Sequence, residues 1–259
     1  MSTLDNSTPM TDEVPVRSLA WLHMPARVTI TAAVPIVLTV IFVRMVMSPL
    51  FLQIEYNRPG FPADPYGFTT EQRLQYAPDA VIYLLNSADI SFLADLRLPR
   101  EIVPPEVCNI APEDASLCLM FNERELKHME DVKVVTRGTF ITGIVMAVLA
   151  AAGIALLYRE NRWQLRQALM GGALLTLALI GTIIAMAATA WEVFFTGFHQ
   201  IFFEGDSWLF RFSDTLIRLF PEQFWFDAAL VIGTLTTLSA IIILVLAMRW
   251  QTIERKAHE

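Results

Sequence analysis

From position 140 to position 158 the chain reads FITGIVMAVLAAAGIALLY, without one charged residue and with small side chains at Gly143, Ala147, Ala150, Ala151 and Gly153. Crossing the hydrocarbon of a bilayer takes about 20 apolar residues in a helix. Small residues let a second helix come close in lipid, where packing rather than water-driven burial brings helices together. With Thr139 in front, this stretch reads as a membrane span, 139–158, that meets its neighbours through glycines and alanines.

Working outward, three further stretches have the same character: 28–52, 168–195 and 226–250. The third span again carries small residues, at Gly171, Gly172, Ala185, Ala187 and Ala188. The first is interrupted by Pro35, which can kink a helix, and by Arg44. An arginine at that depth is costly unless it snorkels to the surface or meets a lipid phosphate. Composition agrees, since 54% of residues are hydrophobic and only 17% charged, where a soluble chain carries charge on about a quarter. The net charge of -7 is unevenly spread and supports no nucleic-acid partner.

Lysine and arginine in the short loops set the orientation, because they favour the cytoplasmic side. The loop after the second span holds Arg159, Arg162 and Arg166, and the last tail holds Arg249, Arg255 and Lys256. The loop between spans three and four sets Arg211 and Arg218 against Glu204, Asp206, Asp214 and Glu222. Both termini are therefore expected in the cytoplasm. The first 27 residues are polar and lack the basic start and immediate apolar core of a signal peptide. They read as a tail with a short interfacial helix near 19–24.

The expected organisation is a cytoplasmic tail 1–27, a first span 28–52, an extracytoplasmic cap 53–138, the span 139–158, a cytoplasmic loop 159–167, a span 168–195, an outer interfacial loop 196–225, a last span 226–250 and a cytoplasmic tail 251–259. The fold class is an all-α membrane protein of four transmembrane helices. It carries a small, mostly helical extracytoplasmic cap and a partly re-entrant aromatic loop between helices three and four.

Within the cap, EQRLQYAPDAVIYLLN has helical spacing, with Leu74, Ala77, Val81 and Leu85 on one face and Thr69 or Thr70 as cap. Pro99, Pro104, Pro105 and Pro112 then mark an irregular stretch holding both cysteines, Cys108 and Cys118. On an oxidising face a disulfide closing this loop would contribute about 2–3 kcal/mol. Two unrelated free thiols are the plain alternative. NERE at 122–125 starts another helix, which runs through ELKHMEDVKVV straight into the second span. The loop 196–225 carries Phe198, Phe202, Phe203, Trp208, Phe210, Phe212, Phe220, Phe224 and Trp225. That suits the headgroup layer, with Ser213 capping a short helix DTLIRLF before Pro221.

Of the four histidines, His23 and His258 fall in tails and are read as inert. His128 lies about three turns before the second span and His199 about one turn after the third, within roughly 10 Å of the same depth at 1.5 Å per residue. Two imidazoles at one depth suggest a shared site; two unrelated interfacial histidines are the alternative. Asp131, at i+3 from His128, would hold the imidazole's tautomer, unless it merely pairs with Lys127. Near His199, Glu204 and Asp206 come within reach if the chain turns at Gly205. A histidine pair can relay protons, one as base and one as acid or oxyanion stabiliser. Zinc on two histidines plus Asp131 or Asp206 would be a weak pattern. The chain lacks GxSxG, HExxH, P-loop and GxGxxG patterns, so the site suits a reaction whose substrate supplies the nucleophile. No metal and no cofactor is expected.

Three strings, YNRPGFPADPYGFTTEQRL, FNERELKHMEDVKVV and FHQIFFEGDSWLFRFSDTLIRLFPEQFWFDA, resemble a family of bacterial four-helix membrane proteins. That family, long labelled only as of unknown function, includes the lipoprotein intramolecular transacylases. The resemblance covers roughly 56–243. It implies that His128 and His199 serve the transfer of the sn-2 acyl chain of a diacylglyceryl-cysteine lipoprotein to that cysteine's α-amine. It also implies a multi-pass location in the bacterial inner (plasma) membrane, with lipids and a diacylated lipoprotein as partners. The resemblance does not extend over the stretch 87–118. The expected site is therefore His128 and His199 as acid–base pair, Asp131 orienting His128, and Tyr56, Asn57 and Asp206 positioning substrate. The competing reading is a non-enzymatic accessory or scaffold protein whose outer cap binds a partner.

Overall fold

The structure, a computed structural model, describes residues 19–104, 108, 116–203 and 205–256. Among these, four helices are long and apolar enough to cross a membrane: Ala20–Val46, Glu123–Glu160, Arg162–Ala187 and Glu222–Trp250. Helix α1 (His23–Val46) follows one 3-10 turn at Ala20–Leu22. It lies against α5 (Glu123–Glu160), α6 (Arg162–Thr189) and α9 (Glu222–Lys256), and α6 packs on α9. Missing side chains make these contacts possible. A Cβ on Gly172 would stand 2.7 Å from Val34 and 3.1 Å from the Thr31 carbonyl, and one on Gly143 would stand 2.7 Å from Val40.

The first helix stops at Val46, short of the expected 52. The cause is local. Arg44 donates to the Met47 carbonyl at 3.0 Å, closing the helix end on itself. Ser48 then caps a new helix, α2 (Pro49–Asn57), accepting from Phe51 N, with proline in the first turn. Phe51 and Leu52 are thereby buried in the cap core rather than in a span.

Helix α3 (Thr70–Leu85) starts with a complete capping box between Thr69 and Gln72. Its buried face is Arg73, Ala77, Ala80, Val81 and Tyr83, so Leu85, expected inside, turns out exposed at its end. After α4 (Ser91–Ala94), two short strands, β1 (Arg97–Pro99) and β2 (Leu117–Leu119), pair antiparallel, a strand element the helical reading of the cap did not contain. Cys118 lies in β2 and is joined to Cys108, with Cα atoms 5.5 Å apart. Helix α6 ends at Thr189, whose hydroxyl donates to the Ala185 carbonyl at 2.8 Å. The chain breaks at Ala190 and restarts as α7 (Trp191–Phe202), where the sequence suggested one span to 195. In helix α8 (Thr215–Leu219) Asp214, not Ser213, holds the extended position before the first turn, and its side chain makes no capping bond to the helix.

Buried polar groups join the cap. The Arg218 guanidinium donates to Asp64 at 2.9 Å and to the Ile102 carbonyl at 2.8 Å, both side chains being almost wholly enclosed. Arg73 donates to the carbonyls of Arg218 and Pro62. Three sequence-distant segments are thus stitched through one point, as buried charges require.

Candidate active site

The first turn of α5 sets the site. Asn122 accepts from Arg124 N and Glu125 N, and Glu125 returns a bond to Asn122 N at 2.8 Å. The other Glu125 oxygen accepts from Leu216 N at 2.5 Å, pinning the start of α8 to α5. Glu125 is fully buried, and burial pushes its carboxyl up to about 8 against the pull of those backbone donors. Asp214 accepts from Asn122 Nδ2 at 3.0 Å and from Arg211 N at 2.8 Å. The loop carrying Trp208 and Phe210 is therefore fastened at its far end to the helix that carries His128.

One turn along α5, His128 faces α7. Its ring centroid lies 6.2 Å from that of His199, the planes 25° apart. Phe203 at 4.9 Å and Phe210 at 5.2 Å stand edge-on to His128, while Trp208 stacks on His199 at 5.0 Å. His128 is 7% exposed and His199 half-buried, so aromatic rings cover the first almost wholly and the second in part. His199 Nδ1 lies 2.7 Å from the Phe195 carbonyl. A carbonyl only accepts, so in the neutral ring Nδ1 carries the proton and Nε2 is the free base. His128 Nδ1 is buried without a partner.

Both imidazoles lie outside the apolar part of the spans and both resist protonation. Burial, then the neighbouring His199, lowers His128 to about 4, with Asp131 pulling the other way. Burial likewise lowers His199, offset in part by its bond to Phe195. At neutral pH the site holds two neutral imidazoles packed among aromatic rings.

The remaining expected residues lie elsewhere. Asp131 pairs with Lys127 at 3.1 Å and accepts from Ser207 Oγ at 3.4 Å. It is the ordinary i,i+4 partner rather than a hydrogen-bonded orienter of His128, which it reaches only through space. Tyr56 is buried and donates to the Leu219 carbonyl at 2.9 Å, and Asn57 donates to Gln53 of its own helix at 2.7 Å; both bonds are structural and neither reaches a histidine. Asp206 lines an open depression of about 480 Å³ with Arg124, Ser207 and Leu209. Glu204 and His258 lie outside the described residues. His23, expected to be inert, lies 2.7 Å from Glu160 Oε2 and ties α1 to the end of α5. Among the described residues no group of three potential ligands gathers to hold a metal.

Sequence reasoning missed Glu125 as a tie between two helices and Trp208 as the platform under His199. It also missed a rim cluster in which Arg58 binds Glu55 and Asp227. The only available signal was chemical oddity: acids set among aromatics, as in FPEQFWFDA.

A four-span helical bundle, with a histidine pair where one end of the bundle meets its cap, defines an integral, multi-pass membrane protein. The chain belongs to the lipoprotein intramolecular transacylase Lit family, whose family model matches residues 27–225. An uncharacterized protein of Aquifex aeolicus is 29% identical over 201 residues, 78% of this chain and 83% of that one. The lipoprotein intramolecular transacylase of Bacillus cereus superposes with a TM-score of 0.69 at 18% identity, covering 92% of this chain and 99% of that chain. Two variants of that enzyme, with one histidine replaced by arginine or by alanine, superpose at 0.63. The fold is shared, and the relatives named here are bacterial.

Proposed function

We propose that this chain transfers the sn-2 acyl chain of a diacylglyceryl-cysteine lipoprotein to the cysteine α-amine, leaving an N-acyl, lyso-form lipoprotein. The reaction takes place at the outer surface of the plasma membrane, with both termini cytoplasmic as the loop arginines indicate. The observation that carries this reading is the neutral, enclosed pair of His128 and His199, with Nε2 of His199 free as base.

His199 Nε2 takes a proton from the α-ammonium. The freed amine attacks the ester carbonyl, and the N–H of His128 stabilises the oxygen that gains charge. The new C–N bond forms and the C–O bond to glycerol breaks. The departing glycerol oxygen takes the proton held by His199, and the nitrogen gives its surplus proton to the freed Nε2, from which it passes to water as the amide is left. Amine and ester belong to one molecule, so holding them in register supplies much of the rate. General acid–base help adds on the order of 10²–10⁴-fold. Water kept out by Phe203, Trp208 and Phe210 favours aminolysis over loss of the acyl chain to hydrolysis. Rings pointing apart, or packed together without a cavity, would favour a scaffold; His128 and His199 converge, which supports the enzyme reading.

The test is mass spectrometry of lipoprotein N-termini from a host whose own lipoproteins stay diacylated with a free amine. Cells making this chain should yield lyso-form N-acyl termini, and cells making His199→Gln should yield almost none. Unchanged diacyl termini alongside well-inserted wild-type protein would sink the proposal.

A further inference from the structure

The histidine pair explains how a proton moves but not how a lipoprotein, rather than any diacylglyceryl lipid, is seated. The reacting cysteine is both the end of a lipid and the first residue of a peptide, and that peptide must leave the enclosed site away from the hydrocarbon. Two elements lead outward from the rings. On α5, Arg124 stands at i−4 from His128, on the same face and about 6 Å further from the membrane segment at 1.5 Å per residue. On the loop, Asp206 and Ser207 immediately precede Trp208, whose ring stacks on His199. These residues, with Leu209, line the open depression of about 480 Å³.

Its polar groups are mixed. Arg124 Nη1 donates to the Leu209 carbonyl at 3.1 Å, which braces the wall and leaves the rest of the guanidinium facing outward. The Asp206 side chain is exposed and makes no hydrogen bond among the described residues, while Ser207 donates weakly to Asp131 at 3.4 Å. A phosphate would meet Arg124 favourably but Asp206 unfavourably, and an acyl chain would strand both. A peptide backbone, which presents N–H and C=O groups in alternation, matches a wall of one fork-shaped donor, one carboxylate and one hydroxyl.

Resting on the reaction proposed above, we infer that the depression lined by Arg124, Asp206, Ser207 and Leu209 is a peptide subsite for the residues that follow the lipidated cysteine. The subsite makes the chain a lipoprotein enzyme rather than a general lipid aminolysis catalyst.

Two measurements on the full chain in lipid test it. The first uses a diacylglyceryl-cysteinyl hexapeptide bearing a diazirine side chain directly after the cysteine. Its cross-links should map to 124 and 206–209. The second compares this hexapeptide, without the diazirine, with diacylglyceryl-cysteine methylamide, which has no peptide. Wild type should favour the hexapeptide about 10-fold in kcat/KM, through KM, as one or two added hydrogen bonds would give. Arg124→Gln and Asp206→Asn should each erase most of that preference. Equal kcat/KM for the two substrates, or cross-links confined to the rim around Gln223 and Asp227, would overturn the subsite while leaving the transfer reaction intact. Cross-links in the depression without any conversion would uphold the subsite and remove the reaction. Absence of both would remove the two together.

Discussion

At one end of the bundle, a single apolar cluster runs from Val46 through Tyr83, Leu98, Phe121 and Leu219 to Ala228. At the other, among the described residues, the buried cluster is Ile30, Leu157, Leu165 and Ala168. The first is built as a water-soluble domain is built. Large side chains are enclosed, and charges that go in with them, such as Asp64 with Arg218, are paired. The second belongs to a bundle whose outer faces stay apolar and exposed, as at Ile141, Ile144, Val148 and Leu230. Its helices meet where side chains are missing, because lipid removes the water-driven part of their association. The histidines sit on the seam between the two. The proposed transfer asks this seam to hold two rings 6.2 Å apart and to admit an acyl chain, which takes the rigidity of the one and the solvent of the other.

The difference can be broken from either side. The largest effect is expected at the seam. His128→Gln or His199→Gln should each lower the yield of lyso-form product per inserted enzyme by on the order of 10²–10⁴-fold. The double variant should be little worse than the worse single, because the two act as a unit. His199→Gln should leave the melting temperature nearly unchanged, whereas His128→Gln, in the buried position, should lower it measurably. Wild-type yield from both at matched expression would end the acid–base assignment.

Next comes the soluble-like side. Asp64→Leu leaves the Arg218 guanidinium buried without its carboxylate and should cost about 3–5 kcal/mol. The cap should loosen while the spans stay inserted. Limited proteolysis should then cut near 60–68 in the variant and not in wild type, and equal protection would show the pair to be dispensable.

On the lipid side, Gly172→Ala pushes a methyl to 2.7 Å from Val34 and should destabilise α1 against α6 by about 1–3 kcal/mol. Gly181→Ala meets nothing within 4 Å and should be silent. If both behave alike in thermal unfolding in lipid, close approach at Gly172 is not what joins those helices.

The smallest effect is in pH. Both histidines titrate lower in the folded protein than the usual value near 6.5, His128 at about 4. The unfolded chain therefore binds more protons between those values, and stability should fall as pH drops from about 6.5 toward 4, not as it rises. His128→Gln should flatten the fall. Activity should persist below pH 6.5, where an ordinary exposed histidine would already be protonated. An acid limb at or above that pH would contradict the burial of the pair.

How far this was legible from residues alone follows the same division. An uninterrupted apolar stretch such as 140–158 has few other uses, and the caps at Thr69 and Asn122 are local signals, so spans and cap helices could be read. The break at Ser48 was averaged away by Leu50, Phe51 and Leu52. The break at Ala190 carries no proline or glycine, and only the Thr189 hydroxyl marks it. The two histidines could be set at one depth by counting turns, but their contact depends on how α7 is turned after Ala190. Asp131 looked like an orienter because i+3 spacing allows it, and Lys127 at i−4 competes for the same carboxylate. Glu125 could be read as the far half of a capping box. Its second bond goes to a backbone amide 91 residues away, and no local rule reaches that far.

Helix α5 runs for 38 residues without a proline, about 57 Å at 1.5 Å per residue, against hydrocarbon about 30 Å thick. Its far end is tethered to α1 through Glu160 and His23. No proline interrupts the helix between that tether and His128, so the spacing of the two along the axis is set by the helix like marks on a gauge rod. For the proposed transfer, that spacing would set the height at which the ester meets His128, and bilayer thickness would become a variable of the reaction.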